Sequence, residues 1–166
     1  MNLIDDKPER KGLYSRFVKR ERMTKVFEKI LIATDGSEKN QPAVKKGLAL
    51  AREFGSTVYV VYVVDDVTIT SAEAGVLIGD LYMTLNKEGE KALENAKMIA
   101  DGQKVETSIL SGRPAKVITE FAVKNNVDLI VVGSLGKTGL TRLILGSVAE
   151  SILQMADCMV LVVKNK

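Results

Sequence analysis

Short runs of β-branched and aliphatic residues alternate with longer stretches of helical periodicity from about residue 26 onward. This alternation is typical of repeated βαβ units, in which crossover helices join parallel strands. The runs that end at Val132 and Val163 are continuously apolar, as expected for strands that helices cover on both faces. We therefore predict an α/β fold with an open, three-layer, parallel five-stranded sheet. The predicted strands are residues 30–33, 58–64, 105–110, 128–132 and 159–163.

Four intervening stretches carry apolar residues at helical spacing, and they predict helices through residues 44–54, 85–99, 114–122 and 148–153. The segment 65–79 shows no clear period and contains two glycines, which predicts a mobile connection. Right-handed crossovers would wind these elements into one domain. We place that domain at residues 26–166 and treat residues 1–25 as a separate basic extension.

The charge of the chain is concentrated in that extension. Residues 1–25 hold eight Lys or Arg against four Asp or Glu, a net charge of +4, whereas the whole chain of 166 residues carries only +3. The remaining residues are therefore close to neutral, which argues against a dedicated nucleic-acid binder. Apolar residues at 13, 14, 17 and 18 interrupt the basic ones and predict a short amphipathic helix. It would pack on the domain or on a second copy, or else contact an anionic surface or an unknown protein partner.

The chain contains no histidine and one cysteine, Cys158. Disulfide frameworks, Cys/His zinc sites and mechanisms with an imidazole base are thereby excluded. The longest apolar run, residues 58–64, is far shorter than the roughly 20 residues of a membrane span. These observations predict a protein of the cytoplasm, where thiols stay reduced.

Residues 133–147 read GSLGKTGLTRLILGS and contain the Gly-Lys-Thr ending of a P-loop. A P-loop needs four residues between its first glycine and the Gly-Lys pair, whereas only Ser134 and Leu135 separate Gly133 from Gly136 here. The P-loop is therefore rejected on spacing. What remains is Gly133-x-x-Gly136, nine residues, and then Gly146-Ser147.

That motif follows the fourth predicted strand, and Asp35-Gly36 follows the first. In open α/β sheets the ligand crevice lies beyond the carboxyl ends of the strands, at the point where the strand order reverses. Gly133 and Gly136 would let the backbone approach a ligand closely and adopt conformations that other residues avoid, so the amides between them could point at an anion. The alternative for each glycine, and for Asp35-Gly36, is an ordinary turn. If Asp35 instead belongs to a binding site, its carboxylate would hold a ribose hydroxyl or a Mg²⁺ ion.

Residues 147–150 read Ser-Val-Ala-Glu, which fits a capping box with Ser147 as the N-cap. A helix that begins there would present free amides and the positive end of its dipole to a phosphate group. Lys137 and Arg142 would add positive charge, although a lysine in a loop is more often simply solvated.

Together these residues resemble the universal stress protein family. The resemblance covers about residues 26–164 and rests on Ala33-x-Asp35-Gly36-Ser37, the strand residues 60–63, Gly112-x-Pro114 and the long glycine motif. In that family the glycine motif marks the members that bind ATP. The resemblance implies a Rossmann-like sheet of order 3-2-1-4-5, similar to the adenine-nucleotide α-hydrolases, and homodimers through the last strand, Met159 to Val163. An exposed apolar edge at that strand would also favour pairing with another chain.

The resemblance also implies a set of binding residues. Backbone at Ala33 and Val63 would contact adenine, and Asp35 would lie on the side of the ribose and of a Mg or Mn ion brought by the nucleotide. The ribose and phosphates would meet the two glycine elements. Leu135 departs from the family, since many members have a polar or basic residue there. The full predicted set is Ala33, Thr34, Asp35, Val63, Gly133, Ser134, Gly136, Lys137, Gly146, Ser147 and Val148.

These features predict an ATP-binding stress-response protein that acts as a nucleotide-dependent molecular switch. We expect slow hydrolysis or none, because no histidine base is available and no carboxylate pair is dedicated to activating water. Two alternatives stay open at this point. One is a Mg-dependent nucleotide hydrolase that uses Asp35, and the other is a nucleotide-free module that binds protein partners.

Overall fold

The computed structural model describes residues 26–65, 78–135 and 145–164. The predicted basic extension, most of the predicted connection 65–79, and the loop with Gly136, Lys137 and Arg142 lie outside these residues. Within them, strands and helices alternate strictly. The elements are β1 (Lys29–Thr34), α1 (Gln41–Phe54), β2 (Thr57–Val64), α2 (Ile78–Ala100), β3 (Val105–Ser111), α3 (Pro114–Asn125), β4 (Leu129–Gly133), α4 (Ser147–Met155) and β5 (Met159–Val163).

The five strands form one parallel sheet in the order β3-β2-β1-β4-β5. This confirms the predicted α/β class and strand order, and no predicted strand end differs from the observed one by more than one residue. β1 is central and pairs with β2 from Lys29↔Thr57 to Thr34↔Tyr62, and with β4 from Ile30↔Leu129 to Ile32↔Val131. The chain therefore adds β2 and β3 on one side of β1 and β4 and β5 on the other, so the winding direction reverses next to β1. β3 and β5 form the edges of the sheet.

Helices cover both faces of the sheet. Successive side chains of a strand point to opposite faces, so each central strand packs against helices on both sides. Ile30 and Ile32 pack with residues of α1 and α2 in one buried cluster, whereas Leu31 and Ala33 pack with residues of α3 and α4 in the other. The continuous apolar run of β4 thus reflects burial on both faces, whereas the same expectation was wrong for β5, an edge strand that is only partly buried. As a consequence, α1 and α4 leave neighbouring strands but lie on opposite faces of the sheet.

Local signals fix where several helices begin and end. Gly55 ends α1 in the left-handed region with φ of 63°, and Asn126 ends α3 with φ of 52°. Pro114 begins α3, where its missing N–H costs nothing. α2 begins at Ile78, so the predicted connection was wrong for its last two residues, and Gly79 lies inside the helix. No described helix is long and apolar enough to cross a membrane.

Candidate functional site

A crevice of about 390 Å³ opens beyond the carboxyl ends of β2, β1 and β4. It lies where the strand order reverses, because α1 and α4 diverge to opposite faces after β1 and β4. Its volume falls in the range of sites for small organic ligands. The fold thus produces a ligand-sized cleft at the position that the topology predicts.

Most of the predicted site residues line this crevice. The sheet order brings them together from three separate parts of the sequence, while Gly136 and Lys137 lie outside the described residues. The binding roles of all residues in the predicted set stay predictions. The lining residues from the predicted set are Ala33, Thr34, Asp35, Val63, Gly133, Ser134, Gly146, Ser147 and Val148.

The start of α4 differs from the predicted capping box. Gly146 occupies the N-cap position with φ of −65° and ψ of 147°, Ser147 is the first helical residue, and no side chain caps the helix. The capping box was wrong because the helix begins at Ser147, one residue earlier than a serine N-cap at that position requires. In the described part of the chain, the amides of Ser147, Val148 and Ala149 have no backbone acceptor. Three donors and the positive end of the helix dipole therefore remain available to an anion.

Ser134 ties the two ends of the β4–α4 connection together. Its amide donates to the Val163 carbonyl over 2.8 Å, and its carbonyl accepts the Gly146 amide over 2.8 Å. The prediction that amides just after Gly133 point at an anion was therefore wrong for Ser134, since its N–H is used to hold β5. This pair of bonds instead fixes the start of α4 against the end of β4.

Asp35 lies on the β1 side of the crevice. One carboxylate oxygen accepts the Ser37 amide over 3.0 Å and the Ser37 hydroxyl over 2.7 Å. The other oxygen, Oδ2, is buried and has no hydrogen-bond partner among the described residues. A carboxylate fixed by one oxygen and unsatisfied at the other is suited to a ribose hydroxyl or a hard cation.

Asn40 is a crevice residue that the sequence predictions missed. It occupies the N-cap of α1, is only 4% exposed, and makes no side-chain cap hydrogen bond. A Cβ atom on Gly133 would lie 2.8 Å from its Nδ2. Gly133 is therefore required for this close approach and not for an unusual backbone, since its φ lies outside the left-handed region. The predicted unusual backbone conformation of Gly133 was therefore wrong, whereas the predicted close approach of its backbone to a ligand stays a prediction.

The end of the crevice near β2 is apolar. Val63 lies there with side chains from α2 and α3, namely Leu85, Pro114 and Ile118. The sequence placed all three in predicted helices, and Pro114 also in the family motif, but nothing in a single helix pattern indicates which turn borders a cleft. Leu135, the residue that departs from the family, also lines the crevice. An apolar wall of this kind suits the faces of a purine ring.

Among the described residues that line the crevice, the charged ones are Asp35 and Asp65. Within the described ranges no cluster of three or more Cys, Asp or Glu could hold a metal ion. A divalent ion at Asp35 would therefore need further oxygen ligands from a nucleotide, which fits the unsatisfied Oδ2. The thiol of Cys158 lies on the face of α3 and α4, where burial raises its pKa, so it stays protonated and packs as an apolar group.

A sequence model of the universal stress protein family matches residues 27–164. The chain belongs to this family. Universal stress protein MJ0531 of Methanocaldococcus jannaschii is 45% identical to it over 145 residues, which are 84% of this chain and 84% of that protein. The family resemblance predicted from the motifs is thereby confirmed.

Solved structures agree with the assignment. The hypothetical protein MJ0577 of the same organism has a structure that matches with a TM-score of 0.72 and 35% identity, over 85% of this chain and 98% of that one. A universal stress protein from Archaeoglobus fulgidus in complex with dAMP matches with a TM-score of 0.59 and 23% identity, over 82% of this chain and 98% of that one. At that identity the second likeness shows the fold alone. This universal stress protein thus has the Rossmann-like fold of its family.

Proposed function

We propose that this universal stress protein binds ATP in the crevice and acts as a nucleotide-dependent molecular switch in the stress response. The observation that carries the proposal is the start of α4, where three amides that have no backbone acceptor among the described residues border a cleft of nucleotide size. A triphosphate is the part of ATP that needs such donors. The fold is compatible with this ligand, since the A. fulgidus protein of the same fold is in complex with dAMP.

The order of strands in the sheet suggests how ATP would lie. The apolar end by Val63 and Pro114 would take the adenine, and the start of α4 would take the phosphates. β1 lies between β2 and β4, so Asp35 at its end would meet the ribose or a Mg or Mn ion brought by the phosphates. When bound, that ion would neutralise phosphate charge beside two carboxylates.

We propose that hydrolysis is slow or absent. The chain has no histidine, and one oxygen of Asp35 is already held by Ser37. A water molecule in the crevice would therefore lack a dedicated base. Binding energy would instead stabilise one conformation of the protein, since a ligand that favours one state shifts the population toward it.

The test begins with the purified protein. Denaturation should release a bound adenine nucleotide, and the emptied, refolded protein should bind ATP more tightly than adenosine in calorimetric titrations. We expect a difference of roughly ten-fold or more, because charge-assisted hydrogen bonds to phosphate contribute about 1.5–3 kcal/mol.

Equal affinity for ATP and adenosine would remove the phosphate site from the proposal. No binding of either ligand would favour the partner-binding alternative. Steady-state turnover near the roughly 1 s⁻¹ of slow enzymes would favour a nucleotide hydrolase.

We further propose that the protein forms a homodimer through β5 and works in the cytoplasm. β5 is an edge strand whose apolar side chains are only partly covered, and Met159 is 52% exposed. Such an edge offers free backbone groups to a second copy. Met159→Lys should convert the dimer to a monomer in light scattering, whereas Val123→Lys, at an equally exposed position on α3, should leave it dimeric. A dimer that survives Met159→Lys would contradict this interface.

A further inference from the structure

Asn40 carries a buried polar group that the fold does not use. Its side chain lines the crevice and is 4% exposed, yet it does not cap α1. Within the described residues its Oδ1 is buried without a hydrogen-bond partner. A buried unpaired acceptor of this kind costs free energy, which the bound state of the protein can recover.

The neighbouring groups indicate which kind of partner Oδ1 requires. Among the described residues, Asp35 Oδ2 is a second buried acceptor without a partner, and Asp35 lines the same crevice as Asn40. Gly133 leaves room for the carboxamide on the β4 side, because a Cβ there would lie 2.8 Å from Asn40 Nδ2. The unsatisfied atoms of these two side chains are both acceptors, so they need hydrogen-bond donors or a cation, and an ionised phosphate supplies neither.

ATP carries its donors on the ribose and on the adenine amino group. The apolar end of the crevice lies at β2 and α3, and the open amides lie at the start of α4. Asn40 begins the helix that follows β1, the strand between these two ends. The ribose is the middle part of the nucleotide, so its hydroxyls are the donors that reach this position.

We infer that Asn40 is a specificity-determining residue that recognises the ribose of the nucleotide. Rotation about the last side-chain bond, a soft torsion, turns Oδ1 from its buried position toward the crevice. There it accepts a hydrogen bond from one ribose hydroxyl, beside Asp35. The protein then prefers ribonucleotides to deoxyribonucleotides. This inference rests on the proposed ATP site and adds the recognition of the sugar.

The experiment measures the affinities for ATP, 2′-deoxy-ATP and 3′-deoxy-ATP by calorimetry in the wild type and in Asn40→Ser. Serine is a good N-cap residue, so the substitution removes the carboxamide while α1 keeps a favourable start. Asn125→Ser is the matched control, because the Asn125 amide bonds to its own helix at the Phe121 carbonyl and does not line the crevice. Each titration is repeated with Mg²⁺ and with EDTA.

We expect the wild type to prefer ATP over one of the two deoxy analogues by roughly three- to ten-fold, the range of one net hydrogen bond. Asn40→Ser should weaken ATP binding by that factor and abolish the preference, with and without Mg²⁺. Asn125→Ser should retain both the affinity and the preference.

An equal loss for all three nucleotides would overturn the inference, since a purely structural role predicts it. An equal loss that occurs only with Mg²⁺ would overturn it in favour of a metal contact. A wild type that binds no ATP would show the failure of the proposed function itself, before any variant is compared. If Asn40→Ser did not fold, the Asn40 side-chain amide resonances of the wild type would decide, because they should shift with ATP and much less with 2′,3′-dideoxy-ATP.

Discussion

Two connections border the crevice, and they prepare their helices in opposite ways. The connection from β1 to α1 satisfies the first backbone amides of its helix, whereas the first amides of α4 have no backbone acceptor among the described residues. Both helices start at the same edge of the sheet. The contrast shows that a helix start at the switch point of an α/β sheet is not by itself an anion site, because local hydrogen bonds decide whether its amides are available.

In the β1–α1 connection, the amides of Asn40 and Gln41 donate to the carbonyls of Ser37 and Glu38. Pro42 has no amide hydrogen, and the Ala43 amide donates to the Asn40 carbonyl. Upstream, Asp35 accepts from Ser37. The first turn of α1 therefore has no free N–H for a ligand, and this side of the crevice offers acceptors.

At the two described ends of the β4–α4 connection, the hydrogen bonds join Ser134 to the N-cap of α4. The Gly146 amide donates to Ser134, and among the described residues the next amide with a backbone acceptor is that of Glu150, which donates to the Gly146 carbonyl. The donors in between belong to Ser147, Val148 and Ala149. This side of the crevice thus offers donors, so a ligand with hydroxyls at one end and phosphates at the other is complementary to both sides.

The largest expected effect concerns the β1–α1 connection and tests how rigidly it is packed. Gly36 has φ of +75°, and a Cβ there would lie 2.9 Å from the Ala92 Cβ. Gly36→Ala should lower the free energy of unfolding by about 1–2 kcal/mol for the left-handed backbone and by about 1–3 kcal/mol more for the collision. Equilibrium urea denaturation measures the sum.

Gly55→Ala supplies the matched control for Gly36. Gly55 has φ of +63°, but a Cβ there would meet no atom within 4 Å among the described residues beyond its chain neighbours. Its substitution should therefore cost the backbone contribution alone. Equal losses of unfolding free energy in the two variants would show that Ala92 moves to accommodate the added methyl group. The β1–α1 connection would then be less rigid than its contacts indicate.

The second largest effect concerns the β4–α4 connection. Ser147→Pro removes one amide from the first position of α4, where proline is well tolerated, and the ψ of 147° at Gly146 suits a residue before proline. Affinity for ATP should fall by roughly 10- to 100-fold, the worth of a hydrogen bond to a charged group. Ser147→Ala, which retains the amide and loses the hydroxyl, separates the two contributions in the same titration. If the proline and alanine variants bound ATP equally well, the backbone amide would have no part in phosphate binding.

The sequence allowed the sheet to be predicted almost completely, because burial on both faces leaves a continuous apolar run in a central strand such as β4, and the edge strand β5 is apolar although it is only partly buried. The strand order followed from the family resemblance, and the crevice followed from the order. The start of α2 was missed, since Gly79 interrupts the helical pattern while the helix itself continues through it.

The candidate site was predicted less evenly. Residues that follow strands, such as Asp35 and Gly133, could be placed because the carboxyl ends of parallel strands meet at one edge. Asn40 was missed because its burial depends on α1 lying against the end of β4, a contact 93 positions apart in the chain. The N-cap of α4 was assigned one residue too late, since a serine followed by a glutamate at the right spacing predicts a box whether or not the helix begins there.

The smallest expected effect concerns the start of α1 and tests whether it can be made to resemble the start of α4. Pro42 lies in the first turn of α1, so Pro42→Ala gives this helix an additional amide at the crevice edge. We expect ATP affinity to stay within about two-fold, because a single N–H among satisfied neighbours does not make an anion site. The free energy of unfolding should fall by about 0.4–1 kcal/mol, since the unfolded chain gains conformational freedom. If calorimetry instead showed tighter ATP binding, α1 would share the phosphate site, and the two helix starts would differ only by the proline.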